Sequence, residues 1–391
     1  MNILHLIHDN KFFSFVTEVF GARPGVQNRY VAHVPDPAAA LQHIGGVKLW
    51  RRVGNRYFFS RQVREDLEWS DCLIVHYAYA PGALMMLRAP ARVTVVWSGW
   101  GADYLDLTAA GGQAMHTGET ARLLADIRRK RLGRGLREAG RCLLEAAWLR
   151  FVDRPLRVAA IARADLFSAP LREDFDLLRA ALGSRLRAQY AQLHYASVER
   201  TFRPGPEALV GGDILLGNSA TPTNNHAEML HLLARRDLGD RKVIVPLSYG
   251  DAYYRDAIAA LGRRLLGDHF EPVLDFVPLS DYNTLIARCS TVIMNHRRQQ
   301  AIGNIGAMLY RGARVFLDDS GAVYRFLRAQ GAHVFSTSLL KETGDAVFDL
   351  LKPEQRMQNR AVLDVLWSHD TVMKNTAGFV EAAGQCLRAR A

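Results

Sequence analysis

The chain has 391 residues, a length that allows two domains with separate hydrophobic cores. Hydrophobic residues make up 49% of it, as in ordinary globular proteins, and no apolar run approaches the roughly 18–20 residues that a membrane span needs. The formal net charge of +11 directs attention to anionic partners such as a membrane surface or a nucleic acid. The first residues, MNILHLIHDN, have no basic leader and no small-residue cleavage site, so we expect no signal peptide.

The first half of the chain alternates short apolar runs with helix-like segments. The apolar runs are typical of strands buried on both faces of a parallel sheet. The predicted strands are 3–7, 29–34, 72–76, 93–97 and 159–167. The predicted helices are 12–20, 61–69, 82–87 and 172–182, together with a long basic stretch. This alternation predicts an α/β domain.

Polar and aromatic residues follow several of these strands. Asp9 comes after the first strand, His76 ends the third, and the loop Trp97-Ser98-Gly99-Trp100-Gly101-Ala102-Asp103 follows the fourth. Carboxylates can act as general bases or bind hydroxyls, and aromatic rings stack on sugar faces. We therefore predict that Asp103 and Asp9 are catalytic and that His76, Trp97, Trp100 and Gly101 bind a substrate. For Asp9, capping the helix that follows is a simpler alternative.

Much of the positive charge lies in one segment, residues 122–157. This segment holds eleven Lys or Arg residues against four acids, interleaved with leucines, Trp148 and Phe151. The pattern predicts a basic helical insertion near 119–157 that binds an anionic membrane surface. A solvated helix face with an apolar underside is the alternative, and nucleic acid is not expected because no nucleic-acid motif accompanies the charge.

A second alternation begins at Asp213. Its predicted strands are 214–217, 242–246, 273–277, 291–294 and 314–317, and the tail from about residue 354 reads as helix. Arg203-Pro204-Gly205-Pro206 is a stiff hinge candidate before it. We therefore predict an N-terminal domain of residues 1–205 and a C-terminal domain of residues 206–391, with the helical tail packing back on the first.

Two turns of the second half suit a phosphate. Strand 214–217 ends at Gly217-Asn218-Ser219 and leads through Thr221–Asn225 into a helix, and strand 291–294 leads through Gln299-Gln300 to Gly303-Asn304 at the start of another helix. A helix N-terminus offers unpaired N–H groups and a positive dipole end, and glycine lets the backbone approach an anion closely. Two such turns at one sheet edge predict a diphosphate site.

From these patterns we predict a ligand set for a nucleoside diphosphate. Tyr249 follows a strand and can stack on a base, and Phe276 can line the base pocket. The predicted diphosphate ligands are Gly217, Asn218, Ser219, Asn225, Arg298, Gln299, Gln300, Gly303 and Asn304. His226, at a helix start, is more readily explained as structural. No metal-ligand spacing occurs, and the four cysteines (Cys72, Cys142, Cys289 and Cys386) are widely separated, so we expect no metal, no cofactor and free thiols in the cytoplasm.

Four blocks of the chain resemble the TDP-N-acetylfucosamine:lipid II N-acetylfucosaminyltransferases of enterobacterial common antigen assembly. They are WSGWGADYLDL (97–107), ILLGNS (214–219) with Asn225-His226, KVIVPLSY (242–249), and residues 298–317 with their RQQ-x-IG core. The resemblance implies a GT-B enzyme, with two Rossmann-like domains facing a central cleft. It implies metal-independent transfer of 4-acetamido-4,6-dideoxygalactose from a TDP-sugar to a polyprenyl-diphosphate-linked oligosaccharide.

The same resemblance implies a division of labour between the domains and a place in the cell. The nucleotide is expected on the C-terminal domain and the lipid-linked acceptor on the N-terminal domain, with the enzyme peripheral on the cytoplasmic face of the inner membrane. Many GT-B enzymes have a ribose-binding glutamate where this chain has Met308, which favours a deoxythymidine donor. Two other functions stay open at this point: a nucleotide-sugar epimerase of the same architecture, and a non-catalytic lipid- or nucleic-acid-binding scaffold.

Overall fold

The computed structural model describes residues 1–34, 36–108, 115–203, 209–341 and 345–390. The chain forms two compact units. Unit 1 comprises Met1–Gly111, Leu143–Ala196 and Asp370–Ala391, and unit 2 comprises Gly112–Cys142 and Ser197–His369. No helix within the described ranges is both long enough and apolar enough to cross a membrane.

Unit 1 contains a parallel sheet of seven strands. The strands are β1 (Asn2–His8), β2 (Gln27–His33), β3 (Arg51–Val53), β4 (Cys72–His76), β5 (Thr94–Ser98), β6 (Leu166–Ser168) and β7 (Gln189–Tyr190), in the order β3-β2-β1-β4-β5-β6-β7. Every residue of β4 and β5 is buried, which explains why their sequences read as continuous apolar runs.

Unit 2 contains a second parallel sheet, of six strands. They are β8 (Asp213–Leu216), β9 (Val243–Pro246), β10 (Phe270–Val273), β11 (Cys289–Met294), β12 (Arg314–Leu317) and β13 (Phe335–Ser336), in the order β10-β9-β8-β11-β12-β13. The strand order reverses between β8 and β11, and in unit 1 it reverses between β1 and β4. In open parallel sheets, ligands bind beyond the carboxyl ends of the strands at such a reversal.

Fourteen α-helices lie within the described residues. In chain order they are α1 (Phe13–Gly21), α2 (Arg61–Trp69), α3 (Ala80–Arg88), α4 (Gly118–Leu132), α5 (Leu136–Trp148), α6 (Arg154–Arg163), α7 (Arg172–Leu182), α8 (His226–Leu233), α9 (Ala252–Leu266), α10 (Leu279–Ala287), α11 (Ile302–Arg311), α12 (Ala322–Ala329), α13 (Pro353–Trp367) and α14 (His369–Arg388). A π-helical turn, Leu149–Asp153, joins α5 to α6. The predicted α/β fold class with two parallel-sheet domains is confirmed.

Two predicted strands are misplaced. Residues 159–163 end helix α6, and the strand begins only at Leu166, because an apolar run without flanking turn residues fits a buried helix as well as a strand. The strand predicted at 273–277 is β10, at Phe270–Val273. Pro272 lies within β10, which is an edge strand, where a missing N–H is tolerated.

The basic segment is divided between the two units, and the tail after residue 369 belongs to unit 1. Helix α4 belongs to unit 2, where Leu123, Leu124 and Ile127 pack against the core. Helix α14 belongs to unit 1, where Phe379 and Ala383 are part of the core. The contact-based boundary near the middle falls after Ala196, and residues 204–206 of the hinge candidate lie outside the described residues.

Candidate active site

The two phosphate-compatible turns of unit 2 come together in the structure. They follow β8 and β11, which are hydrogen-bonded neighbours. Gln300 Nε2 donates to Asn218 Oδ1 at 2.9 Å, and Thr223 Oγ1 donates to Gln300 Oε1 at 2.7 Å. The predicted proximity of Asn218 and Gln300 is therefore a direct hydrogen bond.

Asn224 organises the first turn, and sequence reasoning missed it. Its Oδ1 accepts from the Asn218 backbone N–H at 3.0 Å and lies 2.7 Å from His296 Nε2. Its Nδ2 donates to the Ser219 carbonyl at 3.0 Å and to Ser219 Oγ at 3.2 Å. Burial lowers the pKa of His296 well below its ordinary value, so the ring is neutral and serves as a hydrogen-bonding partner. The polar residues directly after each strand were the only signal for this network.

Gly217 is required by its backbone and its neighbours. Its φ is +68°, in the left-handed region, and a Cβ atom there would lie 2.3 Å from His226 Nε2. His226 is fully buried, and its Nδ1 lies 3.2 Å from the Tyr254 hydroxyl. The structural interpretation of His226 therefore accounts for the glycine as well, without a ligand.

Asn225 is used as a cross-link. It adopts a left-handed conformation, with φ of 51°, as the residue before α8. Its Nδ2 donates to the carbonyls of Met115 and Asn295, both at 3.0 Å, and its Oδ1 accepts from Thr117 N–H at 3.0 Å. The predicted ligand thus joins the segment before α4 to the carboxyl end of β11.

The N-terminus of α11 lies open beside this network. Its N-cap, Ala301, makes no side-chain cap and is held in the left-handed region, with φ of 59°. Within the described residues, no acceptor meets the backbone N–H groups of Ile302, Gly303 and Asn304. A Cβ atom on Gly303 would meet only Thr201 Cγ2, at 3.8 Å, so space remains in front of these groups. Three amides and a helix dipole here favour an anion.

The other predicted diphosphate residues surround this end of α11. Arg298 Nε donates to Thr223 Oγ1 at 3.1 Å, and Asn304 Nδ2 donates to the Tyr282 hydroxyl at 2.9 Å. Gln299 is buried, and its Oε1 has no partner within the described residues. The side chain of Asn304 is therefore committed to the protein, while its backbone amide stays available.

Two exposed aromatic rings stand at the ends of the neighbouring strands. Tyr249 follows β9 and is 56% exposed, and Phe276 follows β10 and is 65% exposed. The Tyr249 hydroxyl accepts from Asn218 Nδ2 at 3.1 Å, which links it to the first turn. Large exposed rings on one sheet edge are suited to stacking on a planar base.

The carboxylate of Asp103, in unit 1, is occupied by the protein. Oδ2 accepts from the Trp97 indole N–H at 2.8 Å and from Ala78 N–H at 3.0 Å, and Oδ1 accepts from Trp100 N–H at 2.8 Å. The residue is 3% exposed, and burial raises the pKa of Asp103 to about 6. Asp103 therefore fastens the 97–103 loop, in which Trp97 is fully buried and Gly101 supplies a φ of +100°.

The carboxylate of Asp9 is also occupied by the protein, through bonds to residues 42–44. Its carboxylate accepts from the backbone N–H groups of Gln42, His43 and Ile44, at 2.6 to 3.1 Å. The alternative that Asp9 caps the following helix is wrong: α1 has Phe12 as its N-cap and no side-chain cap. Such a clamp on three amides could not be anticipated, because residues 42–44 are distant in sequence.

His76 belongs to a buried network that the sequence did not reveal. Its Nε2 lies 3.1 Å from His5 Nδ1, and its Nδ1 is hydrogen-bonded to the Tyr195 hydroxyl, which also contacts Ser98. The Trp100 ring packs edge-on against Tyr195, with ring centroids 5.1 Å apart. Burial lowers the pKa of His5 to about 4 and that of His76 well below its ordinary value, so both rings are neutral near pH 7.

The second unit carries the match to a known family. Residues 201–345 match the family model described as 4-alpha-L-fucosyltransferase, glycosyl transferase group 56. The chain is a glycosyltransferase, and its residues 201–345 are similar to group 56. This match supports the resemblance to the TDP-N-acetylfucosamine transferases, and it favours sugar transfer over an epimerase or a non-catalytic scaffold.

Solved structures of similar fold include GT-B glycosyltransferases. HepE from Anabaena, in complex with UDP-glucose, has 12% sequence identity and a TM-score of 0.65, covering 98% of this chain and 100% of that one. The lipopolysaccharide outer core galactosyltransferase WaaB has 10% identity and a TM-score of 0.58, covering 98% and 99%. Sucrose-phosphate synthase from Thermosynechococcus elongatus has 10% identity and a TM-score of 0.64, with the same coverage. At this identity the likeness establishes the GT-B fold alone.

Proposed function

We propose that this glycosyltransferase moves a deoxy-amino sugar, 4-acetamido-4,6-dideoxygalactose or a close analogue, from a TDP-sugar to a polyprenyl-diphosphate-linked oligosaccharide. The observation that carries the proposal is the joined pair of turns in unit 2, where the Asn218–Gln300–Thr223 hydrogen bonds lie beside the uncapped α11 N-terminus. HepE, which shares the fold, is seen with UDP-glucose, and this supports a nucleotide-diphosphate sugar as donor.

The donor diphosphate would lie against the amides of Ile302, Gly303 and Asn304, with Arg298 and Gln299 beside it. Preorganised amide dipoles stabilise the negative charge that develops on the leaving diphosphate. In the transfer, an acceptor hydroxyl oxygen forms a bond to the anomeric carbon of the sugar. The bond between the anomeric carbon and the diphosphate oxygen breaks. TDP leaves with the electron pair, and the hydroxyl proton passes to solvent.

The base and the deoxyribose of the donor would also bind to unit 2, near the ends of β9 and β10. Tyr249 and Phe276 present exposed rings on which thymine could stack. Met308, at the position where related folds carry a ribose-binding glutamate, is fully buried in the core. A nucleoside without a 2′-hydroxyl has less need of a carboxylate there, which supports TDP over UDP.

We place the acceptor-binding site on unit 1 and the membrane-binding surface on the basic segment. Asp103, Asp9 and His76 are held by internal hydrogen bonds, so their proposed part is to shape the loops that contact the acceptor. Helix α4 uses Leu123, Leu124 and Ile127 for packing, so its apolar underside is accounted for. The exposed apolar residues that follow it, from 136 to 151, are left for an anionic inner-leaflet surface on the cytoplasmic side.

Titration calorimetry with TDP and UDP tests the donor site. We expect TDP to bind, and Gly303→Val to abolish that binding, because its side chain would occupy the space in front of the α11 amides. The variant should fold, since the nearest atom to the new Cβ is Thr201 Cγ2 at 3.8 Å.

A matched control is Gly378→Val in α14, where a Cβ atom meets nothing within 4 Å. It makes the same substitution within a helix and should leave TDP affinity unchanged. If a folded Gly303→Val protein binds TDP with wild-type affinity, the diphosphate does not bind at the N-terminus of α11. A preference for UDP would overturn the deoxythymidine donor.

A further inference from the structure

A groove on the surface of unit 1 combines positive charge with an apolar floor. It has a volume of about 470 Å³ and is lined by Arg150, Arg154, Arg185, Pro155, Val158, Ala159 and Ala162. Arg154, Pro155, Val158, Ala159 and Ala162 lie on one face of α6, spaced as residues of a single helical stripe. Arg150 comes from the π-helical turn before α6, and Arg185 from the 3₁₀ turn after α7. We call this feature the arginine groove.

The three arginines of the groove have no acidic partner. No carboxylate lines the groove, and within the described residues none of the three guanidinium groups makes an ion pair or a hydrogen bond. Arg157, on the opposite face of the same helix, shows the contrast. It is buried and paired with Asp153 and Asp106, each at 2.7 Å. Positive charge in the groove is thus available to an external anion.

Large apolar side chains stand exposed next to the groove. Leu143, Leu144 and Trp148 at the end of α5 are 64%, 73% and 54% exposed. Leu149 and Phe151 in the π-helical turn are 57% and 71% exposed, and the Arg150 guanidinium lies 5.6 Å from the centre of the Phe151 ring. Contiguous apolar residues rimmed by arginine mark a surface for a partner that is apolar at one end and anionic at the other.

We propose that the arginine groove binds the diphosphate of a polyprenyl-diphosphate lipid, with the hydrocarbon chain along the exposed residues of α5 and the π-helical turn. This rests on the proposed function for the identity of the acceptor, and it assigns that acceptor's anionic end to named side chains. Guanidinium groups bind phosphate oxygens in bidentate pairs. A diphosphate offers the three arginines that line the groove more charge and more acceptor oxygens than the single phosphate of an ordinary phospholipid.

Vesicle sedimentation with the full chain tests the assignment. One set of phosphatidylcholine vesicles carries a polyprenyl diphosphate, and a second set carries phosphatidylglycerol at the same total charge. We expect the wild type to bind the first set about tenfold more tightly, as charge-assisted hydrogen bonds allow. The triple variant Arg150→Ala, Arg154→Ala, Arg185→Ala should lose that preference, so that both sets bind equally.

A second triple variant removes the same charge elsewhere. Arg128→Ala, Lys130→Ala, Arg137→Ala changes three exposed residues of α4 and α5 that have no ion pair within the described residues. It should weaken binding to both vesicle sets and keep the tenfold preference. Circular dichroism establishes that both variants are folded.

Equal binding of the wild type to both sets would overturn the proposal, as would loss of preference in both triple variants. The assay contains no nucleotide, so it is independent of the donor site. Preference without TDP binding would leave the groove as a lipid-diphosphate site and remove the transferase donor. TDP binding without a preference for the polyprenyl diphosphate would support the donor site and overturn the arginine groove as a lipid-diphosphate site.

Discussion

The carboxyl ends of the two sheets are built from similar residues but use them differently. In unit 1, the carboxylates of Asp9 and Asp103 each accept three hydrogen bonds from the protein. In unit 2, the turns are also joined by internal bonds, but the three first amides of α11 and the buried Gln299 Oε1 have no partner within the described residues. Groups that the fold leaves unsatisfied point to a ligand more strongly than residue type does.

Backbone strain occurs at the carboxyl ends of both sheets. Three non-glycine residues of the described chain have positive φ: Tyr77 after β4, Asn225 before α8 and Ala301 before α11. Asn225 is of a type that tolerates this conformation, and its side chain binds Met115 and Asn295. Ala301 has no such compensation, so its strain is maintained by the surrounding turn at the proposed donor site.

The largest expected effect comes from the buried histidines, which include His226 of unit 2, where burial lowers the pKa to about 3. Burial lowers the pKa of His5, His8 and His194 to about 4 each. Unfolded histidine takes up a proton near pH 6.5, whereas the folded protein does so only near pH 4. Stability is therefore lost as the pH falls from 6.5 to 4, by up to about 1.4 kcal/mol per pH unit for each group.

Asp103 opposes this trend. Burial raises the pKa of Asp103 to about 6, so the folded state holds its proton more tightly than the unfolded state. Its contribution favours the folded state at low pH and is lost as the pH rises through 6. Urea unfolding at pH 7 and pH 5 should show the net loss at pH 5. His8→Gln should reduce the pH dependence by the share of one histidine, and His231→Gln, at a half-buried position of α8, should not. A flat wild-type profile would show that the histidines are not buried as described.

The next largest effect is expected from Asp103→Ala. The change leaves the Trp97 indole N–H and the amides of Ala78 and Trp100 without their acceptor, which should lower the free energy of unfolding by about 4 kcal/mol. Tryptophan fluorescence during urea unfolding measures it. Asp126→Ala, in an exposed pair on α4, should change stability by less than about 0.5 kcal/mol. If Asp103→Ala unfolds like the wild type while losing TDP affinity, Asp103 contacts the donor and the comparison of the two units fails.

The sequence was sufficient for the architecture because strands buried on both faces have an unambiguous pattern. Most strands lie at or within a few residues of the predicted positions. Helix α11 begins beside Gly303 and Asn304 and ends before Gly312, as these residues predicted. The short strands β3, β7 and β13 were missed because two or three residues give no periodicity. The local sequence pattern therefore predicts the central strands of each sheet, but not the short strands at the sheet edges.

The site was predictable only in part, for a different physical reason. Gln300 and Asn218 follow adjacent strands, so their hydrogen bond could be anticipated from topology. Asp9, Asp103 and Asn225 each have a partner that lies 25 to 110 residues away in sequence, and nothing local specifies it. A polar residue after a strand therefore predicts well where in the fold its side chain lies, but predicts poorly what that side chain binds.

The smallest predicted effect bears most directly on the proposed donor site. Ala301→Gly removes the cost of a left-handed alanine, about 1–2 kcal/mol, but adds unfolded-state entropy, so stability should rise by about 1 kcal/mol. Ala260→Gly, at an exposed helical position of α9, should lower stability by about the same amount. Calorimetric melting of both variants measures the difference in sign. If both variants are destabilised equally, Ala301 is not strained. If Ala301→Gly is stabilised and also binds TDP less tightly, the strained turn holds the α11 amides in the geometry that the diphosphate requires.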